Sequence, residues 1–168
     1  SMIQTISVFL AEWPRKRGYK GEIALIYNGA NPRDLKDDVS TEEIEALKQK
    51  LGKKPGDIFL VNTSRLVHQK AFDDTLRALV KLPHFIKFLV VGGGEDEAML
   101  KKLAIDLGVD DRVIFTGKVD RSVVTLYRRA SDIFVAPSRS EGLGNAFISA
   151  LASRLPLIAT QVGGMADY

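Results

Sequence analysis

Short apolar runs alternate with amphipathic segments along most of the chain. The run at 57–62, bounded by Pro55 and Gly56, has the length of a strand. Similar runs recur at 86–91, 112–116, 132–136 and 156–160. Segments with a helical apolar face lie between or before them, at 72–82, 95–107, 121–130 and 145–153. Because apolar strands alternate with helices, the pattern predicts an α/β fold with a doubly wound parallel sheet, covered on both faces.

The segment before this core carries weaker signals. Ser40 and Glu43 have the spacing of a capping box, which predicts a helix over 41–51. The apolar run 3–13 predicts a short amphipathic helix that lacks its packing partner, with a membrane-surface anchor as the alternative. A secretory signal peptide is excluded because the positive charges at 15–20 follow this run and do not precede it.

Composition narrows the class of protein without identifying a function. The 168 residues predict one domain, and 45% hydrophobic with 27% charged residues is typical of a soluble, cytoplasmic protein. No apolar run approaches the roughly 20 residues of a membrane-spanning helix. The net charge of +3 gives no reason to expect nucleic acid as a partner. The lack of cysteine excludes disulfides and cysteine-based metal sites, and His68 and His84 leave little for any other metal site.

Two cations follow the first strand of the predicted sheet. Arg65 and Lys70 lie in the polar segment 62–72, at the carboxyl end of that strand, where open α/β sheets bind their ligands. A guanidinium and an ammonium at this spacing suit one diphosphate group, and two solvated surface cations are the alternative.

Other loops belong to the same edge of the sheet. The glycines 92–94 are compatible with a phosphate cradle, but the lack of a full dinucleotide motif favours a tight turn. The loop 136–147 contains one carboxylate, Glu141, beside glycines that permit a close backbone approach, with a solvated charge as the alternative reading. A flexible turn at 161–164 follows the last strand. Together these loops predict a ligand site at the carboxyl edge.

The order and spacing of the motifs resemble the retaining glycosyltransferases of family four. The resemblance rests on Ser64-Arg-Leu…Gln69-Lys70, Val90-Val-Gly-Gly-Gly, Phe115-Thr-Gly117, Pro137-Ser-x-x-Glu141-Gly-x-Gly144, Pro156-Leu-Ile-Ala-Thr and Gly163-Gly164. Residues 26–30, further upstream, also resemble that family, and the resemblance as a whole covers about 22–168. That family has the GT-B fold of two Rossmann-like domains, which bind acceptor and nucleotide-sugar respectively. The resemblance implies that 22–168 is the donor-binding domain, that 1–21 is a linker or interdomain helix remnant, and that the N-terminal acceptor domain is absent.

The resemblance also implies roles for individual residues. Arg65 and Lys70 would hold the donor diphosphate, and Glu141 would be the catalytic residue that contacts the donor sugar. Backbone amides would hold sugar and phosphate at Leu143, Gly144 and Asn145. The nucleobase would be met, largely by backbone atoms, at Gly117, Lys118 and Val119. Glycosyl transfer would proceed with retention, with no metal or other cofactor required.

Two positions depart from the family pattern. The family usually repeats a carboxylate eight residues after the first, and here that position holds Ser149. A glutamate there would accept hydrogen bonds from both ribose hydroxyls, whereas serine is shorter and uncharged, so Ser149 predicts weak nucleotide binding. The family usually has glycine where this chain has Arg154. A helix end without glycine needs another cap or a costly left-handed arginine.

These observations predict the donor-binding domain of a retaining hexosyltransferase in cell-surface polysaccharide or glycoconjugate biosynthesis. The expected partners are a nucleotide-sugar and, through the missing domain, an acceptor sugar or glycolipid. The expected location is the cytoplasm, including the cytoplasmic face of a membrane, and the fragment alone is expected to transfer no sugar. Ser149 keeps open a degenerate domain that binds a nucleotide or a partner without transfer. A Rossmann dehydrogenase is excluded because the first strand lacks a dinucleotide fingerprint.

Overall fold

The computed structural model describes residues 2–30, 32–35 and 39–167. Within them the strands are β1 Ile3–Thr5, β2 Ile23–Leu25, β3 Ile58–Asn62, β4 Ile86–Val90, β5 Val113–Phe115, β6 Ile133–Ala136 and β7 Leu157–Ala159. The α-helices are α1 Val8–Lys16, α2 Pro32–Leu35, α3 Thr41–Lys50, α4 Phe72–Leu79, α5 Glu97–Asp106, α6 Val124–Arg129 and α7 Asn145–Ala152. Short 3-10 helices lie at His68–Lys70, Asp110–Arg112, Arg121–Val123 and Gly163–Asp167. The predicted core elements are present, most of them slightly shorter than expected.

Five parallel strands form the central sheet in the order β5-β4-β3-β6-β7. The chain runs outward from β3 through β4 to β5 and then returns to the other side of β3 with β6 and β7. This reversal makes the sheet doubly wound and confirms the predicted α/β fold. It also places the carboxyl ends of β3 and β6 side by side, which is where such sheets bind ligands.

Apolar side chains cover both faces of this sheet. On one face, Leu60 and Phe88 belong to a buried cluster that includes Leu76 of α4. On the other face, Phe59 and Phe134 belong to a second cluster, against which part of α7 packs. Successive residues of β3 therefore point into two different cores. This explains why the strand is apolar throughout and does not alternate with polar residues.

The apolar run 3–13 is not a single helix. Ile3–Thr5 pairs in parallel with β2, a strand that the sequence analysis did not predict. Ser7 separates this strand from α1, because its Oγ accepts a hydrogen bond from Leu10 N at 3.2 Å and caps the new helix. The expected helix over 3–13 is thus wrong in its first part.

α1 packs within the chain. It contacts the 3-10 helix Gly163–Asp167, and Val8 N donates to Asp167 Oδ2 at 2.7 Å. Ser7 Oγ also donates to Gly142 O at 2.5 Å, which attaches the start of α1 to the loop after β6. None of the residues of α1 is buried, and Trp13 is 49% exposed, so the expectation of a missing packing partner stays a prediction. Within the described residues, no helix is long and apolar enough to span a bilayer.

The ends of two helices follow the predicted rules. α3 begins at a complete capping box, in which Glu43 N donates to Ser40 Oγ at 3.1 Å and Ser40 N donates to Glu43 Oε2 at 2.9 Å. α7 ends at Ala152, and Arg154, two residues later, has a φ of 60°. Leu155 N donates to Ala150 O at 3.1 Å, the closing bond of a Schellman motif. Of the two possibilities for this helix end, the chain uses the left-handed arginine.

Candidate functional site

A cavity of about 490 Å³ opens at the carboxyl edge of β3 and β6. The loop after β3, the α6 region, the loop after β6 and the start of α7 form its walls. The lining residues are Ile6, Thr63, Ser64, Arg65, Lys70, Arg121, Val124, Thr125, Arg128, Glu141, Gly142, Leu143, Gly144, Asn145, Ala146 and Ser149. The cavity is therefore bounded by segments that are distant in sequence and adjacent only in the fold.

Most of the predicted site residues line this one cavity. Arg65 and Lys70 reach it from the loop after β3, and Glu141 reaches it from the loop after β6. The end of that loop and α7 contribute the other lining residues of the prediction, namely Leu143, Gly144, Asn145 and Ser149. The structure thus brings together the residues that the sequence analysis assigned to diphosphate, sugar and ribose, and their roles stay predictions.

The predicted nucleobase segment lies outside the cavity lining. Gly117 follows β5, and its carbonyl accepts a hydrogen bond from Gly92 N at 3.1 Å. Val119 packs against the core cluster that contains Phe59 and Phe134, and Lys118 is exposed. The contact of 117–119 with a nucleobase therefore stays a prediction.

The two charged residues at the centre of the site pair with each other. Lys70 Nζ donates to Glu141 Oε1, and Ser138 Oγ donates to the same oxygen at 2.9 Å. The side chains of Lys70 and Glu141 are only 19% and 12% exposed. Because this environment is largely closed to water, each charge depends on the other for compensation. A ligand that binds both groups has to compete with this ion pair.

The turn that carries Lys70 is strained. Lys70 is the last residue of the 3-10 helix His68–Lys70, and Ala71 follows with φ 53° and ψ 39°. Only glycine adopts this left-handed region at no cost, and other residues lose about 1–2 kcal/mol there. Ala71 is also fully buried. Such a conformation persists only where the surrounding contacts enforce it.

Arg139 holds this turn against the loop after β6. Its guanidinium donates from Nη1 to Asp73 Oδ1 at 2.9 Å and from Nη2 to Asp73 Oδ2 at 3.0 Å. These hydrogen bonds are the main reason that the pKa of Asp73 falls to about 2, and a further bond from Arg77 acts in the same direction. The carboxylate of Asp73 in turn raises the pKa of Arg139.

The glycines of two loops serve close packing. A side chain at Gly94 would collide with the backbone of Leu66, directly beside Arg65. Gly163 has a φ of +57°, and a side chain there would collide with the carbonyl of Glu141. The glycines 92–94 do not line the cavity, which supports the tight-turn interpretation over a phosphate cradle. The two glycines therefore allow the chain near Arg65 and the chain at Glu141 to pack closely against these loops.

The sequence analysis missed the wall formed by the α6 region. Arg121, Thr125 and Arg128 line the cavity from this side. Arg128 is 4% exposed, and its Nε donates to Ser153 Oγ at 3.0 Å while Nη2 donates to Thr125 Oγ1 at 3.2 Å. The three residues follow a spacing of four and then three, which places polar groups on one helical face. That stripe was the available signal.

The charges of the lining suit an anionic ligand. Four cations, Arg65, Lys70, Arg121 and Arg128, line the cavity, against the single carboxylate of Glu141. The amino end of α7 begins at the same wall, and helix amino ends attract phosphate groups. Across 2–30, 32–35 and 39–167, no cluster of three histidine or acidic side chains could hold a metal ion. The arrangement can bind a phosphorylated compound and stabilise negative charge that develops on it.

Comparison with known proteins gives a consistent result. The model of the family described as "Glycosyl transferases group 1" matches residues 43–168. The chain is 34% identical over 125 residues to the alpha-monoglucosyldiacylglycerol synthase of Streptococcus pneumoniae, which covers 73% of this chain and 28% of that protein. It is 35% identical over 127 residues to the GDP-mannose-dependent alpha-(1-6)-phosphatidylinositol monomannoside mannosyltransferase of Mycobacterium tuberculosis, covering 70% of this chain and 32% of that one.

A solved structure shows the same fold. HepE of Anabaena, in complex with UDP and glucose, superposes with a TM-score of 0.87 at 23% identity and covers 99% of this chain. The match covers 46% of HepE, so the chain spans between 28% and 46% of the length of these three proteins.

Proposed function

The chain belongs to the group 1 glycosyl transferases, and from this premise we propose that its cavity binds the nucleotide-sugar donor of a glycosyl transfer reaction. One observation carries the proposal: two cations from the loop after β3 meet the carboxylate of Glu141 and the amino end of α7 at one cavity. Cations and amides suit a diphosphate, and a carboxylate suits the hydroxyls of a sugar.

The proposed chemistry places each group at a stated part of the donor. Transfer breaks the bond between the anomeric carbon and the diphosphate oxygen and forms a bond from that carbon to the acceptor hydroxyl oxygen, which loses its proton. Negative charge develops on the leaving diphosphate. Arg65, Lys70 and the amide groups at the start of α7 would stabilise that charge, which is the electrostatic work that a metal ion performs in other enzymes. Glu141 would accept hydrogen bonds from sugar hydroxyls and orient the anomeric carbon. We propose retention of configuration on the resemblance to family four alone.

We also propose the class of acceptor and the division of labour in the full enzyme. One relative is named as a synthase of the glycolipid alpha-monoglucosyldiacylglycerol, and another as a mannosyltransferase of phosphatidylinositol monomannoside. These names support an acceptor that is a lipid, a glycolipid or a polysaccharide, at a cytoplasmic membrane face. The acceptor site would belong to a preceding domain, with residues 22–168 as the donor-binding unit and 1–21 as the connection.

A second candidate is a domain that binds a nucleotide without transferring sugar. Ser149 favours it, because this residue lines the cavity at the position where the family pattern has a second carboxylate. The two candidates share the nucleotide-binding site and differ in the outcome of catalysis.

Calorimetry and a transfer assay test the proposal. The chain should bind UDP or GDP and one of their sugars, should not bind NAD, and should release no sugar to an added glycolipid. Failure to bind any nucleoside diphosphate would contradict the proposed site, and transfer by the chain alone would contradict the proposed division of labour. Fusion to the acceptor domain of the natural gene should restore transfer, whereas continued inactivity of a folded fusion that binds donor would favour the second candidate.

A further inference from the structure

Arg139 connects the loop that carries Glu141 to the turn that carries Lys70. Its backbone N–H donates to Gln69 O at 2.8 Å, and its Nη1 donates to His68 O at 2.9 Å. Backbone and side chain of one residue thus hold the two carbonyls that immediately precede Lys70. Arg139 itself is outside the cavity lining, so it does not reach a ligand there.

The same guanidinium also holds the chain that follows Lys70. It binds both carboxylate oxygens of Asp73, and Nη2 donates to Asp74 Oδ2 at 3.0 Å. A two-pronged pairing between arginine and carboxylate restricts angle as well as distance. Asp73 lies three residues after Lys70, in the first turn of α4. The Arg139 side chain therefore makes hydrogen bonds to residues on both sides of Lys70.

The turn needs these hydrogen bonds because its backbone adopts an unfavourable conformation. Ala71, between Lys70 and the aspartates, is held in the left-handed region. A non-glycine residue relaxes out of that region unless its surroundings prevent it. Relaxation at Ala71 would change the direction of the chain next to Lys70 and would move its ammonium group away from Glu141, with which it forms an ion pair. The hydrogen bonds of Arg139 and the strained backbone of Ala71 thus belong to the same short turn.

We propose that Arg139 is a positioning residue that places the Lys70 ammonium against Glu141 and so sets the affinity of the cavity for a diphosphate. The ligand in this inference rests on the proposed function. The Lys70–Glu141 ion pair does not, because it is a contact within the protein.

The chain offers a matched control at Arg77. Its Nη1 also pairs with Asp73 Oδ2, at 2.6 Å, but both residues of this pair belong to α4. Arg139→Ala should weaken binding of UDP or GDP by about tenfold, the usual size of a coupling between contacting groups. Binding of uridine or guanosine should change little. Arg77→Ala should leave both affinities within about twofold, because it removes an exposed pair of small effect.

A conservative variant and a double variant separate positioning from general support. Arg139→Lys should recover part of the lost affinity, since an ammonium can still reach Asp73 but cannot bind both oxygens in a fork. In a Lys70→Ala background, Arg139→Ala should cause no further loss of diphosphate affinity. Losses that add fully, or an equal loss for the nucleoside, would overturn the inference and leave Arg139 as a structural residue.

A spectroscopic measurement tests the inference without any ligand. With ¹⁵N-labelled lysine, the Nζ resonance of Lys70 should be distinct from those of solvated lysines, because its ammonium is held by a carboxylate. Arg139→Ala should move it to the position of a solvated lysine, and Arg77→Ala should not. If it moves while the wild type binds no nucleoside diphosphate, the positioning role stands and the proposed function fails. An unmoved resonance in a protein that binds diphosphate would overturn the positioning role alone.

Discussion

At the scale of single residues, the ion pair of Lys70 and Glu141 joins the two halves of the candidate site. Each residue has a predicted ligand contact, diphosphate for the ammonium and sugar hydroxyls for the carboxylate. Because both side chains are largely buried, removal of one leaves the other charge without compensation. Arg65, in contrast, is exposed, so its removal leaves no buried charge behind. Arg65 and Lys70 share a predicted function, but only the removal of Lys70 is expected to destabilise the fold.

This difference predicts separable effects of two substitutions. Arg65→Ala and Lys70→Ala should each weaken binding of UDP or GDP by about 1.5–3 kcal/mol, the value of a charged hydrogen bond. Only Lys70→Ala should also lower the free energy of unfolding, because Glu141 then lacks its ammonium partner. Calorimetry and urea unfolding measure the two effects. Lys102→Ala, which removes an exposed cation of α5, is the control and should change neither.

An equal loss of affinity for the free nucleoside would contradict the assignment of these cations to phosphate. So would a loss of the same size in Lys102→Ala, since that residue lies outside the cavity lining.

Ser149 allows a gain-of-function test of the ribose position. Ser149→Glu should tighten nucleotide binding by roughly tenfold, because a carboxylate can accept charge-assisted hydrogen bonds from ribose hydroxyls. Ser149→Gln is the matched control, because glutamine has nearly the same shape as glutamate without the charge. It should gain less nucleotide affinity. Calorimetry with one nucleotide compares the three proteins. A folded glutamate variant that binds no tighter would place the ribose elsewhere in the cavity.

At the scale of the elements, the ends of α5 and α7 show the same motif with different residues. After α5, Gly108 has a φ of +65°, and Val109 N donates to Ala104 O at 3.0 Å. After α7, Arg154 occupies the equivalent position with a φ of 60°. At both ends a backbone N–H after the helix donates to a carbonyl of its last turn, so both helices have the same C-terminal cap. The arginine differs only in the strain that its side chain adds to the left-handed backbone.

This pair predicts opposite effects on stability. Arg154→Gly should raise the free energy of unfolding by about 1 kcal/mol, because glycine adopts the left-handed region without strain. The reciprocal Gly108→Arg should lower it by a similar amount, since open space surrounds Gly108 and only the backbone is affected. Urea unfolding measures both. A neutral Arg154→Gly beside a destabilised Gly108→Arg would show that the exposed Arg154 side chain offsets its own strain.

At the scale of the whole molecule, stability in acid depends on the link between the loop after β6 and α4. The guanidinium of Arg139 lowers the pKa of Asp73 from 3.8 to about 2. A carboxyl group with a lowered pKa in the folded state stabilises the fold when it is ionised. That contribution is complete above roughly pH 4–5 and is lost as the pH falls towards the folded-state pKa.

Asp73→Asn should therefore flatten the acid side of the stability curve. Between about pH 5 and pH 2 the wild type should lose up to about 2 kcal/mol more than the variant, at most 1.4 kcal/mol per unit of pKa difference. Urea unfolding across this range measures the difference. Asp106→Asn, in an exposed pair of α5, should keep the wild-type profile. An unchanged acid slope in Asp73→Asn would contradict the stabilising role of the Arg139–Asp73 pair.

The amino-acid sequence by itself determined the five core strands, their helices and the edge at which a ligand site forms. Alternating apolar runs and helical faces are local patterns, and parallel strands bring their carboxyl ends to one edge. Arg65, Lys70 and Glu141 could therefore be assigned to a common site before any contact was known. The family predicted from the motif order is confirmed by the match over 43–168.

Only the tertiary structure decided which side chains meet at that edge. Lys70 and Glu141 are 71 residues apart in the chain, and Arg139 and Asp73 are 66 apart, so no local pattern reports their pairing. The stripe of Arg121, Thr125 and Arg128 became part of the cavity because the fold brings Arg128 to Thr63, directly after β3, where its Nη1 donates to Thr63 Oγ1 at 3.5 Å. The strand β1 is too short for its period to be read, and its identity depends on a partner some twenty residues away. Local patterns determine elements, whereas distances between elements depend on how the whole core packs.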